Sequence, residues 1–155
     1  MHTLDELLAD APVFAGLGPD ALTLIAGCAQ NVGFDEDAVL FREGEAADTF
    51  YVVRRGRVAL ELHTPERGGI VIETIGPGEV VGWSWLFAPY RWHFDARAAA
   101  PVRAIAFDGA CLRGKCDDDK ELGYELMKRF GQVMIDRLQH ARVRLLDVYG
   151  GVGVS

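Results

Sequence analysis

Residues 31–107 form a series of short runs rich in Val, Ile and aromatic side chains, and this series limits the fold more than any other feature. Turn-forming groups separate the runs, at residues 35–37, 42–45, 55–56, 65–69 and 76–78. Several short strands at regular spacing with glycine-containing turns are typical of a sandwich or barrel. We therefore predict a mainly β domain over residues 31–107.

Helices are predicted on both sides of these strands. Residues 3–29 contain two helix starts, one at Thr3 with Glu6 in a capping box and one at Pro19. Asp108 is positioned to cap a short helix, and the acids at 117–119 to cap a long one over residues 118–148. Residues 1–150 form one predicted domain, and residues 149–155 are expected to be a flexible tail.

The long helix carries two apolar stripes. One stripe should pack on the β domain, and it contains Leu122, Leu126, Phe130 and Val133. The other follows a heptad register, and it contains Met127, Gly131, Met134, Leu138, Ala141, Leu145 and Val148. Because a surface helix needs only one apolar stripe, the second predicts a parallel homodimer, or else cover by a loop or by the N-terminal helix.

Composition excludes several classes of protein. The net charge of −7 disfavours a nucleic-acid surface, and no apolar run is long enough for a membrane span. The acidic start differs from a signal peptide, so we expect a cytoplasmic protein with no membrane partner. Three cysteines without metal spacing predict free thiols, at Cys28, Cys111 and Cys116. The histidines are scattered and no catalytic grouping is visible, so neither a metal site nor an enzyme is predicted.

Two strings resemble the cyclic nucleotide-binding domain: LFREGEAADTFYVVRRGRVAL at residues 40–60 and IGPGEVVG at residues 75–82. The order of short helices, strands and a long helix is similar to the sensor half of catabolite-activator-type bacterial regulators. The resemblance implies an eight-strand jelly-roll, or β-roll, with N-terminal helices and a long C-terminal helix. Those regulators continue into a helix-turn-helix domain, whereas this chain ends soon after the helix, so no DNA-binding domain and no DNA partner are expected.

The resemblance also implies a phosphate cassette after Gly82. In the family this cassette carries a glutamate for the ribose, then an arginine and a hydroxyl residue for the cyclic phosphate. Here Trp83 stands where the glutamate belongs, and the arginine position falls on Trp92 or His93. The hydroxyl position falls on His93 or Phe94. A short helix after Gly82 is expected to turn its free N–H groups toward an anion.

The candidate ligand-binding residues are therefore Gly82, Trp83, Ser84, Trp85, Arg91, Trp92 and His93. Three interpretations follow. A stand-alone sensor or regulatory module binds a nucleotide-like anion in an aromatic pocket that also includes Phe87, Tyr90 and Phe94. Alternatively, the indoles plug the pocket of a ligand-free subunit that contacts a protein partner, or Arg91 binds an ordinary cyclic nucleotide. No cofactor is certain, and either Trp83 or Trp85 is expected to belong to the core.

Overall fold

The computed structural model of the chain describes residues 4–66 and 68–153. The N-terminal part contains helix α1 (Leu4–Ala9), a 3-10 turn (Pro12–Phe14) and helix α2 (Pro19–Ala26). Proline opens α2 at its first position, as predicted, because its fixed φ suits a helix start and its missing N–H costs no hydrogen bond there. The predicted cap at Thr3 lies outside the described residues.

Eight strands follow, and they confirm the predicted jelly-roll. They are β1 (Ala29–Phe34), β2 (Val39–Phe41), β3 (Thr49–Arg55), β4 (Val58–Thr64), β5 (Gly68–Ile75), β6 (Val80–Val81), β7 (Asp95–Ala98) and β8 (Val102–Asp108). They pair antiparallel in two four-stranded sheets, ordered β1-β8-β3-β6 and β2-β7-β4-β5. The main core is lined by both sheets and is closed by aromatic side chains from the loop after β6 and from the C-terminal helix.

Helix α3 (Gly109–Asp118) and helix α4 (Lys120–Gly153) complete the chain. The carboxylate of Asp108 accepts a hydrogen bond from the amide of Cys111, as expected of a cap. Only one of the three acids at 117–119 caps α4: Asp119 accepts from the amide of Leu122, whereas Asp117 and Asp118 end α3.

The predicted end of the long helix at residue 148 is wrong, because α4 continues to Gly153. The flexibility predicted for residues 149–155 stays a prediction. The backbone hydrogen bonds of α4 propagate through Gly150 and Gly151, which lower helix propensity without blocking the helix. Residues 154–155 lie outside the described part of the chain.

The two stripes of α4 have different surroundings. Leu122, Leu126 and Phe130 are buried against the domain, as predicted for the first stripe, and Val133 packs at its edge. In the second stripe, Leu138 is 51% and Leu145 57% exposed. Met127 and Ala141 are also exposed, whereas Gly131 and Met134 are half-buried. The side chain of Val148 is not among those that the structure describes. Within the described residues, neither a loop nor the N-terminal helices bury the exposed part of this stripe.

The prediction of three free thiols is wrong for two cysteines. Cys28 and Cys111 form a disulfide, with their Cα atoms 5.9 Å apart. The fold brings them together because the amide of Asp108 donates to the carbonyl of Cys28, which ties the end of β8 to the segment before β1. Cys116 is a free thiol whose pKa is raised by burial and by the nearby carboxylates of Asp117 and Asp119.

No helix within the described residues is long and apolar enough to cross a membrane.

Candidate functional site

Gly82 sits where β6 ends and the predicted cassette begins. Its φ of +88° is a left-handed conformation that L side chains rarely adopt, so glycine is required here. A β-carbon on Gly82 would lie within 2.2 Å of Cζ3 of Trp92. The indole of Trp92 therefore lies directly on the backbone of Gly82, the residue after which the predicted cassette begins.

Trp92 is held in this position from several sides. Its ring stacks on Phe41 with centroids 3.8 Å apart and planes 8° from parallel, and its exposure is only 2%. Its amide donates to the carbonyl of Glu45, and its own carbonyl accepts from the amide of Gly44. Backbone and ring are thus fixed to the turn after β2, and the indole behaves as a core side chain.

The other two indoles differ in burial, and one of them belongs to the core, as expected. Trp85 is fully buried, stacks on Phe50 at 4.5 Å and meets Phe130 of α4 edge-on at 5.2 Å. Its Nε1 atom has no hydrogen-bond partner within the described residues. Trp83 is half-buried, so Trp85 is the core residue of the two.

The segment after Gly82 is a turn, and the expected short helix is absent from it. One backbone bond closes the turn, from the amide of Leu86 to the carbonyl of Trp83. Pro89 lacks an amide hydrogen and disfavours helical geometry at Ala88, which explains why no helix propagates. The row of free helical amides predicted to face an anion is therefore missing.

The polar candidates do not meet over Gly82. Arg91 is exposed, and its Nη1 donates to the carbonyl of Gly44 at 3.0 Å. His93 is also exposed, whereas Ser84 is buried. Phe87 and Tyr90 are about as exposed as each other, and Arg113 covers the ring of Tyr90 at 4.2 Å. The predicted aromatic residues thus divide between the core and the surface.

Arg137 of α4 is a residue of this site that the sequence analysis did not include among the candidates. Its side chain is only 10% exposed, and its guanidinium lies 5.3 Å from the ring of Trp83. Nη2 donates to the carbonyl of Val80, Nε lies 3.9 Å from Glu73, and Nη1 has no partner within the described residues. Desolvation lowers the pKa of Arg137, while Glu73 and Glu79 oppose this shift.

The spacing of Arg137 could have revealed its position. It follows Val133 by four residues, so it continues the buried stripe of Leu126, Phe130 and Val133. Through this residue α4 touches both the strand before the cassette and the first residue after Gly82.

Asp95 is a second residue that the sequence reasoning missed. It is buried, accepts from the amide of Glu43 at 2.7 Å, and lies 2.8 Å from Nε2 of His63. These contacts tie the turn after β2 to β4 and β7. Asp95 thus supports the backbone against which Trp92 is held.

A groove of about 730 Å³ runs between α4 and the turn before β6, outside the cassette. Its charged lining is mixed: Glu73, Glu79 and Asp136 face Arg137 and Arg144. Gly82 and Trp92 do not line this groove. Within the described residues, no group of three His, Cys, Asp or Glu side chains could hold a metal ion.

Comparisons with known proteins agree with this architecture. The model of the cyclic nucleotide-binding domain matches residues 32–119. A CRP-like cAMP-activated global transcriptional regulator of Mycobacterium tuberculosis is 28% identical over 145 residues. That alignment covers 94% of this chain and 63% of the relative, so the chain spans less than two thirds of the relative's length.

Solved structures show the same fold. A cyclic nucleotide-binding protein of Geobacter metallireducens superposes with a TM-score of 0.79 at 29% identity, over 89% of this chain and 99% of that one. The regulatory domain of Toxoplasma gondii PKA, solved with cAMP, gives a TM-score of 0.71 at 16% identity, over 86% and 49% of the two chains. The chain therefore belongs to the cyclic nucleotide-binding domain family.

Proposed function

We propose that this chain is a regulatory module whose cassette is filled by its own Trp92, and that it works through the protein contacts of α4. Of the three interpretations that the sequence left open, this is the ligand-free one. No catalytic role is proposed. The observation that carries the proposal is the indole of Trp92 lying on Gly82, where an added β-carbon would be only 2.2 Å from the ring.

The charges around the cassette support the same conclusion. A buried cyclic phosphate needs a cation and hydrogen-bond donors to replace its water. Arg91 is exposed and already donates to the carbonyl of Gly44. Arg137 is buried, but it contacts Val80 and Glu73 and lies over Trp83. Each of these arginines therefore has a structural role that a phosphate would have to disturb.

The exposed stripe of α4 supplies the surface through which such a module can act. Leu138 and Leu145 are more than half exposed, and Ile135 and Leu146 add neighbouring apolar area. A second copy of the same helix would cover this stripe, so we propose a homodimer through α4. Arg137 and Phe130 connect the inner side of this helix to the cassette and core. The protein partner and the cytoplasmic location remain predictions from the sequence.

A second candidate function is reversible cyclic nucleotide binding after Trp92 moves away. It is favoured by the family itself and by the relative described as cAMP-activated. For this function Trp92 would have to move away from Phe41. Either Arg91 or Arg137 would also have to break its hydrogen bond to a backbone carbonyl.

A titration separates the two candidates. Wild type and a Trp83→Glu/Trp92→Arg variant would be titrated with cAMP and cGMP by calorimetry, using Trp92→Phe as a variant that keeps an aromatic ring over Gly82. We expect no binding by wild type or Trp92→Phe at about 1 mM nucleotide. A Kd of about 1 mM would correspond to a binding free energy of only about −4 kcal/mol. Binding by the doubly charged variant alone would support the filled cassette. Micromolar binding by wild type would establish the second candidate instead.

A further inference from the structure

Three arginine side chains share one small cleft on the exposed side of the sheet that contains β1, β8 and β3. Arg54 and Arg55 end β3, and Arg103 lies near the start of β8. Together with Asn31 and Val32 of β1 they line a cavity of about 310 Å³. This cleft is separate from the cassette, and the proposed function assigns it no role.

The side chains are held over the cleft by their neighbours. Nη1 of Arg54 lies 3.4 Å from the side-chain oxygen of Asn31, so this side chain reaches across β8 to β1. Arg103 extends over Gly33, where a β-carbon would lie 3.1 Å from its Nη1. Glycine at this position thus leaves room for the guanidinium. Arg55 stands directly opposite Arg103 in the β3–β8 pairing.

These positive charges lack local compensation. Among residues 4–66 and 68–153, no carboxylate forms an ion pair with Arg54, Arg55 or Arg103. Like charges directly opposite each other on paired strands are destabilising. The whole chain, however, has a net charge of −7. A concentration of unpaired arginines in an acidic protein is therefore a local exception, and a bound anion would convert the repulsion into attraction.

We propose that this cleft binds carboxylate side chains of an acidic segment in a partner protein. Guanidinium groups hold carboxylates by paired, charge-assisted hydrogen bonds, and 310 Å³ has room for one or two such groups. Nucleic acid, whether duplex or single-stranded, is a poorer match because its binding draws on many phosphate contacts. A long polyanion would also meet repulsion from the net charge of −7 outside the cleft.

The test uses the full chain and a fluorescein-labelled peptide of six glutamates, with a six-glutamine peptide as the uncharged control. Anisotropy would be measured for wild type, Arg54→Gln/Arg103→Gln, and a matched Arg42→Gln/Lys120→Gln variant. The matched variant removes two exposed positive charges elsewhere on the surface. Thermal melting checks that each variant folds. We expect the Arg54→Gln/Arg103→Gln variant to melt no lower than wild type, because Arg103→Gln removes the like-charge pair of Arg55 and Arg103.

We expect the glutamate peptide to bind wild type and to lose about five- to 25-fold in affinity in the Arg54→Gln/Arg103→Gln variant. The matched variant should lose less than about twofold, and raising the salt from about 25 to 300 mM should weaken binding because it screens exposed charges. Equal losses in both double variants, or equal binding of the glutamine peptide, would overturn the proposal. A 20-nucleotide oligothymidylate that binds more tightly, with the same sensitivity to Arg54 and Arg103, would overturn the acidic-protein partner in favour of nucleic acid.

Discussion

The cassette and the outer face of α4 differ in the burial of their large apolar side chains. In the cassette, Trp85 and Trp92 are covered by the chain's own aromatic rings. On α4, Leu138 and Leu145 stand uncovered although they share a helix with the fully buried Phe130. The tryptophans of the cassette are buried within the chain itself, whereas the leucines of α4 would be buried only by the surface of another molecule. We therefore propose that a partner contacts the molecule on the outer face of α4.

The largest effect on stability is expected for a substitution in the cassette. Trp92→Ala removes the ring between Phe41 and Gly82 and should lower the free energy of unfolding by about 3–5 kcal/mol, the usual cost of truncating a buried aromatic residue. Urea denaturation measures it. Arg91→Gln, at the neighbouring exposed position, should cost less than about 1 kcal/mol. A loss below about 1 kcal/mol for Trp92→Ala would show that the ring does not fill the cassette.

The next effect concerns the helix side. Leu138→Glu places a charge in the middle of the exposed stripe, and the desolvation of that charge should weaken a homodimer by at least about tenfold. Light scattering on the 17.0 kDa chain would report the change in mass. Gln132→Glu introduces the same charge on α4 outside the stripe and should leave the dimer intact. A wild-type monomer at tens of micromolar would contradict the dimer directly.

A smaller effect is expected at Arg137, which connects the two regions. Arg137→Ala removes its contacts with Trp83 and with the carbonyl of Val80, and should cost about 1–2 kcal/mol of unfolding free energy. Arg137→Met keeps the bulk and relieves the burial of a charge, so it should be closer to wild type. Chemical denaturation of both variants measures the difference. A methionine variant that is as unstable as the alanine variant would show that the charge itself, and not the bulk of the side chain, holds the cassette to α4.

Much of the fold follows from local sequence features. The strand runs and their turns predict a sandwich or barrel, and Gly44, Gly56 and Gly78 have the positive φ that such turns require. The resemblance to the family adds the eight-strand jelly-roll. The inner stripe of α4 follows from its spacing. The disulfide could not be predicted in the same way, because 83 residues separate Cys28 from Cys111 and only the folded β-roll brings them together.

The candidate site was less accessible to such reasoning. The resemblance places Trp83 at the glutamate position and Trp92 or His93 at the arginine position. The sequence does not show which way an indole turns. The position of Trp92 depends on a stack with Phe41, fifty-one residues earlier, and on backbone bonds to the turn between them. Arg137 could have been predicted as an inner residue, because it follows Val133 by four residues, although its neighbours Asp136 and Leu138 are exposed.

A double-mutant cycle between Gly82 and Trp92 tests the filled cassette most directly. Gly82→Ala should destabilise wild type through the positive φ and through the clash with the indole. In a Trp92→Ala background only the backbone strain remains, so the same substitution should cost about 1–3 kcal/mol less. Urea denaturation of the four proteins gives this coupling. A value near zero would mean that Trp92 does not cover Gly82 in solution, and it would contradict the account.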